Sequence, residues 1–268
     1  MKRHGLAWVT VLLLGYAFLY GPIVSLIVYS FNENRLVTVW SGFSARWYAA
    51  LLENQALLDA AGLSLKIAAL NASLAVVLGT LAALALVRFR KTWGHASLGI
   101  MVTAPLVMPE VMIGLSLLLL FVAMEGLAGW PAGRGQTTIL LAHATFSMAY
   151  VTVVVQSRLS GFDRSLEEAA LDLGARPTKV FFTITLPLIA PALIAGWLLA
   201  FTLSLDDLVV ASFVSGPGAT TLPMLVYSSV RLGISPQINA LATIIIALVS
   251  CAVLVAGLSM QQSRNSQR

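Results

Sequence analysis

Charged residues are scarce in this sequence: they make up only 10% of its 268 residues, whereas 59% of the residues are apolar. Soluble domains carry about a quarter charged residues. Together with a mean hydropathy of +0.90, the composition therefore excludes an ordinary soluble protein and indicates a membrane protein. The single cysteine, Cys251, excludes an intrachain disulfide and lies in an apolar run without zinc-ligand spacing.

Several chemical signatures are also missing from the sequence. It contains no Gly-Lys pair and hence no phosphate-binding loop of the form G-x-x-x-x-G-K-[ST], and no Ser/His/Asp arrangement or metal-ligand cluster at plausible spacing. We therefore expect no catalytic residue, no bound metal or cofactor, and no independent enzyme activity. The net charge of +5 fits basic residues that flank membrane spans. Without a basic run or an RNA-binding signature, nucleic acid is not an expected partner.

Six apolar stretches are long enough to cross a lipid bilayer, which takes about 20 residues of helix. They are Leu6–Phe31, Leu63–Val87, Leu98–Met124, Thr137–Gln156, Leu188–Phe213 and Ile238–Leu258. We predict from them an all-α membrane protein with six transmembrane helices, which form a single transmembrane domain over residues 1–268. Pro105 and Pro109 remove backbone donors from the third stretch and are expected to kink it.

The distribution of basic residues predicts that both termini face the cytoplasm. With the N-terminus inside, 11 of the 16 Lys and Arg residues fall on the inner side and five on the outer side, as the positive-inside rule requires. The inner residues are Lys2, Arg3, Arg88, Arg90, Lys91, Arg158, Arg164, Arg176, Lys179, Arg264 and Arg268. After the first span, Phe43–Leu58 fits an amphipathic helix that lies either on the outer surface or over the bundle.

The connection between the fourth and fifth spans, residues 158–187, is long for a simple connector and lies on the predicted cytoplasmic side. Ser165, with Glu168 three residues later, predicts a capping box at the start of a short helix. Gly174 is placed to end that helix in a left-handed conformation, and Pro177 suits the first turn of a second helix. The apolar face of the first helix comprises Leu166, Ala169, Ala170 and Leu173. This pattern leaves open whether the helix contacts another protein or only its own bundle.

The same connection resembles the EAA loop of binding-protein-dependent ABC importer permeases. The family pattern is E-A-A, three residues, G, nine residues, I, one residue, and L-P. All seven fixed positions occur here at that spacing: Glu168, Ala169, Ala170, Gly174, Ile184, Leu186 and Pro187. The resemblance implies a MetI-like permease fold, in which this loop docks into a groove on a cytoplasmic ATPase and transmits its closure. It also implies that these seven residues form the ATPase-coupling site.

Three carboxylates fall within the predicted spans, where ionisable residues are costly and are candidates for function. They are Glu110 in the third span and Asp206 and Asp207 in the fifth. Apart from Lys66 near the outer end of the second span, no basic residue lies within the spans to neutralise them, and acidic linings favour cations. We therefore predict a substrate path for a cation that includes all three carboxylates. The alternative is that they cap broken helices or bond neighbouring hydroxyls such as Ser204.

Other polar and aromatic residues of the spans carry weaker signals. Asp206 and Asp207 point about 100° apart on a helix and therefore cannot both face one pore squarely. His143 in the fourth span is expected to be a hydrogen-bonded interior residue, with a proton relay as the alternative. Three aromatic residues offer cation–π contacts, although packing is their more common role: Trp197, Phe201 and Tyr227.

Longer segments of the chain resemble polyamine permeases of the same family, namely Leu36–Leu52, Ala104–Phe121 and Phe201–Arg231. This resemblance implies a diamine cargo, putrescine first, carried by alternating access across the bacterial inner membrane. It also implies four kinds of partner: a second homologous permease in a heterodimer, two cytoplasmic ABC ATPase subunits that bind ATP and Mg, a periplasmic polyamine-binding protein, and the lipid bilayer. The alternatives are the same machinery for spermidine or another cationic amino compound, a proton-driven secondary carrier, and a membrane scaffold.

Overall fold

The computed structural model describes residues 2–35, 39–89, 94–232 and 236–265. Within these ranges the chain is almost entirely helical, and an isolated antiparallel bridge joins Asn32 to Phe43. In chain order the helices are α1 (Lys2–Ser30), α2 (Arg46–Glu53), α3 (Gln55–Arg88), α4 (His95–Thr103), α5 (Glu110–Ala128), α6 (Gln136–Ser160), α7 (Ser165–Asp172), α8 (Pro177–Val180), α9 (Leu186–Asp206), α10 (Val209–Val214), α11 (Leu222–Leu232) and α12 (Pro236–Asn265). A short 3-10 turn follows α4, and a π-helical segment joins α8 to α9.

Each of the six predicted spans overlaps one or more helices in the structure. Five helical stretches are long and apolar enough to cross a membrane: Trp8–Ser30, Gln55–Arg88, Glu110–Ala128, Gln136–Ser160 and Pro177–Asp206. The sixth prediction coincides with the 30-residue α12, in which Pro236–Leu248 is apolar. The predicted all-α, multi-pass membrane fold is therefore confirmed. The orientation stays a prediction, and three residues on which it was based, Arg90, Lys91 and Arg268, lie outside the described residues.

Two of the predicted spans are interrupted in the structure. The third contains a complete break, because the 3-10 turn Ala104–Leu106 follows α4 and α5 begins only at Glu110. The fifth was predicted to continue to Phe213, and this prediction is wrong: α9 ends at Asp206, and α10 is a separate short helix. The helix stops because Asp207 adopts an extended conformation, with φ −67° and ψ 123°. Its carboxylate bonds to backbone N–H groups further along the chain, a competition with helix that is common for aspartate.

One compact group of the chain consists of Met1–Leu58 together with Val226–Arg268. In this group α12 packs against α1 and α2. The α2 helix lies within the predicted amphipathic segment, buries Leu51 and is followed by Asn54, whose Nδ2 donates a hydrogen bond to Gln237 Oε1 at 2.9 Å. Of the two positions that the sequence left open for this segment, the structure therefore shows α2 packed against another helix.

The second compact group, Asp59–Leu225, is built around α6, which is the most extensively buried helix of this group. Val151 of α6 lies against two glycines on neighbouring helices. A Cβ atom added to Gly79 of α3 would lie 2.8 Å from Val151 Cβ, and one added to Gly196 of α9 would lie 3.2 Å from Val151 Cγ1. Such close approach is how helices associate in lipid, where apolar burial alone does not favour one helix neighbour over another.

A Gly79→Ala variant is expected to destabilise this group, because the new methyl group would overlap Val151 Cβ and lie 3.0 Å from the Met148 carbonyl oxygen. Overpacking of this kind costs about 1–3 kcal/mol, which should appear as a lower midpoint of thermal unfolding in detergent. Gly15→Ala is the control, because no atom of the described residues lies within 4 Å of the added Cβ there. Equal unfolding midpoints for the Gly79 and Gly15 variants would contradict the proposed packing.

Candidate functional site

The break between α4 and α5 is made by two prolines. Pro105 lies in the 3-10 turn, and the N–H groups of Val107 and Met108 both bond to the Ala104 carbonyl oxygen. Pro109 then adopts an extended conformation, with φ −59° and ψ 137°, and has no N–H to continue a helix. The chain re-enters helix immediately afterwards, so that the carboxylate of Glu110 stands on the first residue of α5.

The break between α9 and α10 is organised by Asp207. Its Oδ1 accepts a hydrogen bond from the N–H of Val210 at 3.2 Å, and its Oδ2 accepts one from the N–H of Ala211 at 2.7 Å. These bonds satisfy backbone donors at the start of α10, as helix-capping aspartates do. The alternative in which these acids cap broken helices is therefore the observed arrangement for Asp207.

Asp207 also belongs to a buried polar chain. His143 Nε2 lies 3.1 Å from Asp207 Oδ2, and His143 Nδ1 lies 2.7 Å from Ser204 Oγ. His143 is fully buried, which confirms the prediction of a hydrogen-bonded interior residue. Among the described residues, no three His, Cys, Asp or Glu side chains converge as ligands for a metal.

The two breaks border one cavity with a volume of about 430 Å³. All three predicted carboxylates lie on its wall, although they come from two different breaks. The lining residues are Pro105, Leu106, Met108, Pro109, Glu110, Ile113, Phe146, Tyr150, Leu203, Asp206, Asp207, Leu208, Val209 and Val210. The volume lies within the range of small-molecule sites, and the site is built from discontinuous helices, as are the ion and substrate sites of many transporters.

The wall of this cavity is acidic and has no basic counterpart among its lining residues. Glu110 and Asp206 are both exposed, and neither is among the ion pairs found in the described part of the chain. The side chain of Asp207 is only 6% exposed, so the other two carboxylates are the ones presented to a ligand. Asp206 also stands at the C-terminal end of α9, where unpaired carbonyl groups add negative potential. The arrangement is suited to hold a cation.

Two aromatic rings of α6, Phe146 and Tyr150, line the cavity and were not among the predicted site residues. They lie three and seven residues after His143 and therefore on the same helix face, but this spacing does not show that the face borders a cavity. Trp197 and Phe201, which were considered for cation–π contacts, are not on the wall. They stack on each other at 5.2 Å between ring centroids, which is the packing role.

A second candidate region is the connection between α6 and α9. The predicted short helix is present as α7, but the predicted capping box is wrong. Ser165 is the first residue of the helix, not its cap, and its N–H donates to Asp163 Oδ1 at 3.0 Å. Arg164 is the residue at the cap position, without a side-chain capping bond, and the hydrogen bond from Ser165 holds the pKa of the Asp163 carboxyl below the ordinary value.

The end of α7 agrees with its prediction. Gly174 has a φ of +82°, a left-handed conformation that favours glycine. Its N–H bonds to the Leu171 carbonyl at 2.9 Å, and the N–H of Ala175 bonds to the Ala170 carbonyl at 3.1 Å. These two bonds form a Schellman motif, which reverses the chain sharply after the helix.

The chain then enters a long helix that connects this region to the cavity. Pro177 is the first residue of α8, and the helix continues through the π segment Phe181–Thr185 into α9, which ends at Asp206. Pro187, one residue before the predicted fifth span, lies inside the continuous helical stretch Pro177–Asp206. The N–H of Leu186 bonds to the Phe181 carbonyl, five residues back, just before the position where proline offers no donor.

The predicted apolar face of α7 is largely exposed in the described part of the chain. Leu166 is 50% exposed and Leu173 is 90% exposed. Glu168 and Ala169 are exposed as well, and Ala170 is half-buried. Of the other predicted coupling residues, Ile184 and Leu186 are half-buried on the long helix, and Pro187 is exposed. Of the two readings that the sequence left open, this exposure favours contact of α7 with another protein.

The residue of α7 that faces inward is Glu167. It is 8% exposed, and its Oε1 lies 2.5 Å from Arg88 Nη2. The hydroxyl group of Thr185 donates to the same oxygen. No sequence pattern pointed to this contact, because its partners lie 79 and 18 residues away.

Comparison with known proteins identifies relatives of the whole chain. Residues 75–265 match the family described as "Binding-protein-dependent transport system inner membrane component". The chain is 60% identical over 259 residues to the putrescine transport system permease protein PotI of Escherichia coli K12, covering 97% of this chain and 92% of that protein. It is 44% identical over 233 residues to the spermidine/putrescine transport system permease protein PotC of the same organism, covering 87% and 86%.

Solved structures resemble the fold at low sequence identity. A bacterial ABC transporter involved in the import of the acidic polysaccharide alginate superposes with a TM-score of 0.72 at 15% identity, over 96% of both chains. An amino acid ABC transporter superposes with a TM-score of 0.54 at 18% identity, over 81% of this chain and 98% of that one. These likenesses confirm the permease fold.

Proposed function

This chain belongs to the binding-protein-dependent transport system inner membrane components. From that membership we propose that it forms one half of a pore that imports a polyamine, and that this polyamine is putrescine. The observation that carries the proposal is the acidic cavity, in which Glu110 and Asp206 are exposed without a basic neighbour on the wall. The names of both relatives, putrescine and spermidine/putrescine permeases, support a polyamine.

The chemistry of a diamine fits this cavity. Putrescine carries two ammonium groups joined by an apolar chain, and the two exposed carboxylates stand on different helices, α5 and α9. The rings of Phe146 and Tyr150 on the same wall can contact the hydrocarbon part of putrescine, and their faces attract its ammonium groups. An anion such as sulfate meets only repulsion from such a wall.

The exposed face of α7 supports a docked partner protein. In this proposal two cytoplasmic ABC ATPases bind ATP and Mg, and each docks on one permease at Glu168, Ala169 and Ala170. The second permease is a homologue of this chain, both termini face the cytoplasm of a bacterial cell, and a periplasmic polyamine-binding protein delivers the cargo. One of the structural neighbours is a bacterial alginate ABC transporter in complex with a periplasmic protein, which supports this kind of assembly.

The proposed mechanism is alternating access. ATP-driven closure of the ATPases brings the two α7 helices together and opens the cavity outward, where it receives the cargo. Hydrolysis returns the inward-facing state. The long helix from Pro177 to Asp206 supplies the mechanical connection, because it begins beside the docking surface and ends at the cavity.

Uptake measurements with competitors are expected to identify the cargo class. Proteoliposomes that contain the complete complex and trapped ATP should accumulate labelled putrescine. An excess of unlabelled putrescine should compete most strongly, spermidine less strongly, and sulfate not at all. Stronger competition by spermidine would keep the importer but change its cargo, and accumulation driven by a proton gradient without ATP would instead indicate a secondary carrier.

A further inference from the structure

Two neighbouring glutamates of α7 have opposite environments. Glu168 is exposed, whereas Glu167 is 8% exposed. Consecutive residues of a helix point about 100° apart, so one carboxylate is available to a docked protein while the other faces the helices of its own chain. The position of Glu167 beside the family motif therefore does not make it part of the docking surface.

The carboxylate of Glu167 joins three elements. Its Oε1 is 2.5 Å from Nη2 of Arg88, the last residue of α3, and it also accepts the hydroxyl proton of Thr185. Thr185 is buried and is the last residue of the π segment that precedes α9. Arg164, at the start of α7, donates from Nη2 to the Val87 carbonyl oxygen at 3.1 Å. The first turn of α7 is thus held against the end of α3 and the base of α9.

The covalent connection between α7 and the long helix cannot supply this rigidity by itself. It consists of Leu173 to Arg176 and contains Gly174 in a left-handed conformation and Arg176 in an extended one. A short linker of this kind allows α7 to rotate relative to the long helix. A force on α7 therefore moves the two helices as one rigid body only if side-chain contacts hold them together, and Glu167 makes such a contact to the long helix through Thr185.

We propose that Glu167 is a positioning residue that locks α7 to α3 and to the base of α9, so that ATPase movement is delivered to the cavity end of α9. The contact is well suited to this task, because hydrogen bonds between charged groups are shorter and stronger than neutral ones. The side chain of Glu167 is 11% exposed, whereas that of Arg88 is 41% exposed, so water and salt reach the pair from the Arg88 side while the carboxylate is largely shielded. The proposal rests on the proposed function, since it concerns how that importer transmits force.

The test compares cargo-stimulated with basal ATP hydrolysis in the complete complex, reconstituted in nanodiscs with its binding protein. Glu167→Gln keeps the size of the side chain but loses the charge that Arg88 meets. We expect the complex to co-purify normally, while the ratio of putrescine-stimulated to basal hydrolysis falls close to unity, because the carboxamide cannot replace the charge-assisted hydrogen bond to Arg88. Glu125→Gln removes a charge from an exposed position of α5, outside α7 and its contacts, and should leave the ratio at the wild-type value.

Two further variants separate positioning from folding. Exchanging the charges in an Arg88→Glu, Glu167→Arg double variant should restore part of the ratio, and Thr185→Val should lower it less than Glu167→Gln does. A wild-type ratio in Glu167→Gln overturns the proposal, and so does a loss that is matched by poor co-purification and is not relieved by the charge exchange. If the wild-type complex itself shows no stimulation by putrescine, the proposed cargo function fails. Stimulation that is equal in wild type and Glu167→Gln removes only the role of Glu167.

Discussion

A Glu168→Arg variant is expected to lose polyamine uptake by about a hundredfold or more, because reversing a charge in a docked surface replaces attraction by repulsion that costs several kcal/mol. Glu168 is exposed on α7, and among the described residues it takes no part in an ion pair of this chain. The variant should therefore fold and reach the membrane in normal amounts. Uptake of labelled putrescine by cells, normalised to the amount of the protein in the membrane, measures the effect.

The control for this variant is Glu53→Arg, which makes the same charge reversal at an exposed position of α2, away from α7 in the sequence. It should leave uptake close to the wild-type value. A proton-driven carrier has no ATPase to dock, so normal uptake by the Glu168→Arg variant would favour that alternative and contradict the role of α7.

The second large effect is expected at the cavity, where Asp206→Asn and Glu110→Gln should each lower uptake about tenfold, and together about a hundredfold. Each variant keeps the shape of the side chain and removes one negative charge from the wall. Losing a hydrogen bond to a charged group weakens binding by about 1.5 kcal/mol, which is about tenfold. Initial rates of putrescine uptake over a range of concentrations are the measurement, and a raised half-saturation concentration is expected.

Two further variants show whether the loss of uptake is specific to the two exposed carboxylates of the cavity. Glu125 lies on the same helix as Glu110, but its carboxylate accepts a hydrogen bond from the Gly133 N–H and does not line the cavity. Glu125→Gln therefore removes a carboxylate of α5 outside the cavity. It should leave uptake unchanged. Asp207→Asn retains an oxygen for the N–H groups of α10, so its main effect should be on thermal stability rather than on the uptake rate. Unchanged uptake in both Asp206→Asn and Glu110→Gln, at normal expression, would remove the cation path.

The helices were predictable because hydropathy reports the one property that a bilayer demands, an apolar length of about 20 residues. The left-handed end of α7 was also predictable. Gly174 has a φ of +82°, which few residue types other than glycine tolerate. The helix break at Asp207 was not predictable in this way. Val209 and Val210 continue the apolar run in the sequence. The end of α9 is explained only by the hydrogen bonds of the Asp207 carboxylate to the backbone of α10.

The negative charge of the cavity was predictable from the sequence, but the complete set of its lining residues was not. Glu110 and Asp206 were singled out because a carboxylate in an apolar span is costly, an argument that needs no structure. Asp207 satisfies the same criterion, yet its hydrogen bonds to His143 and to α10 give it a structural role. Phe146 and Tyr150 carry no such cost signal, so their place on the wall emerges only when α6 is packed beside the two breaks.

The α7 region shows why local patterns can mislead. Ser165 and Asp163 are both good capping residues, and the spacing to Glu168 favoured Ser165. In the folded chain Asp163 accepts the hydrogen bond, and the helix begins one residue earlier than a capping box would allow. The inward position of Glu167 follows from Arg88 and Thr185, which are distant in sequence, so no window of the sequence contains the information.

The central claim is that α7 receives work from a separate ATPase and passes it to a polyamine cavity. ATP hydrolysis by the purified complex, with and without putrescine-loaded binding protein, tests it most directly. Putrescine is expected to raise hydrolysis several-fold with the wild-type chain and not at all with Glu168→Arg. Equal stimulation in both complexes, or putrescine transport by this chain without any ATPase, would contradict the claim.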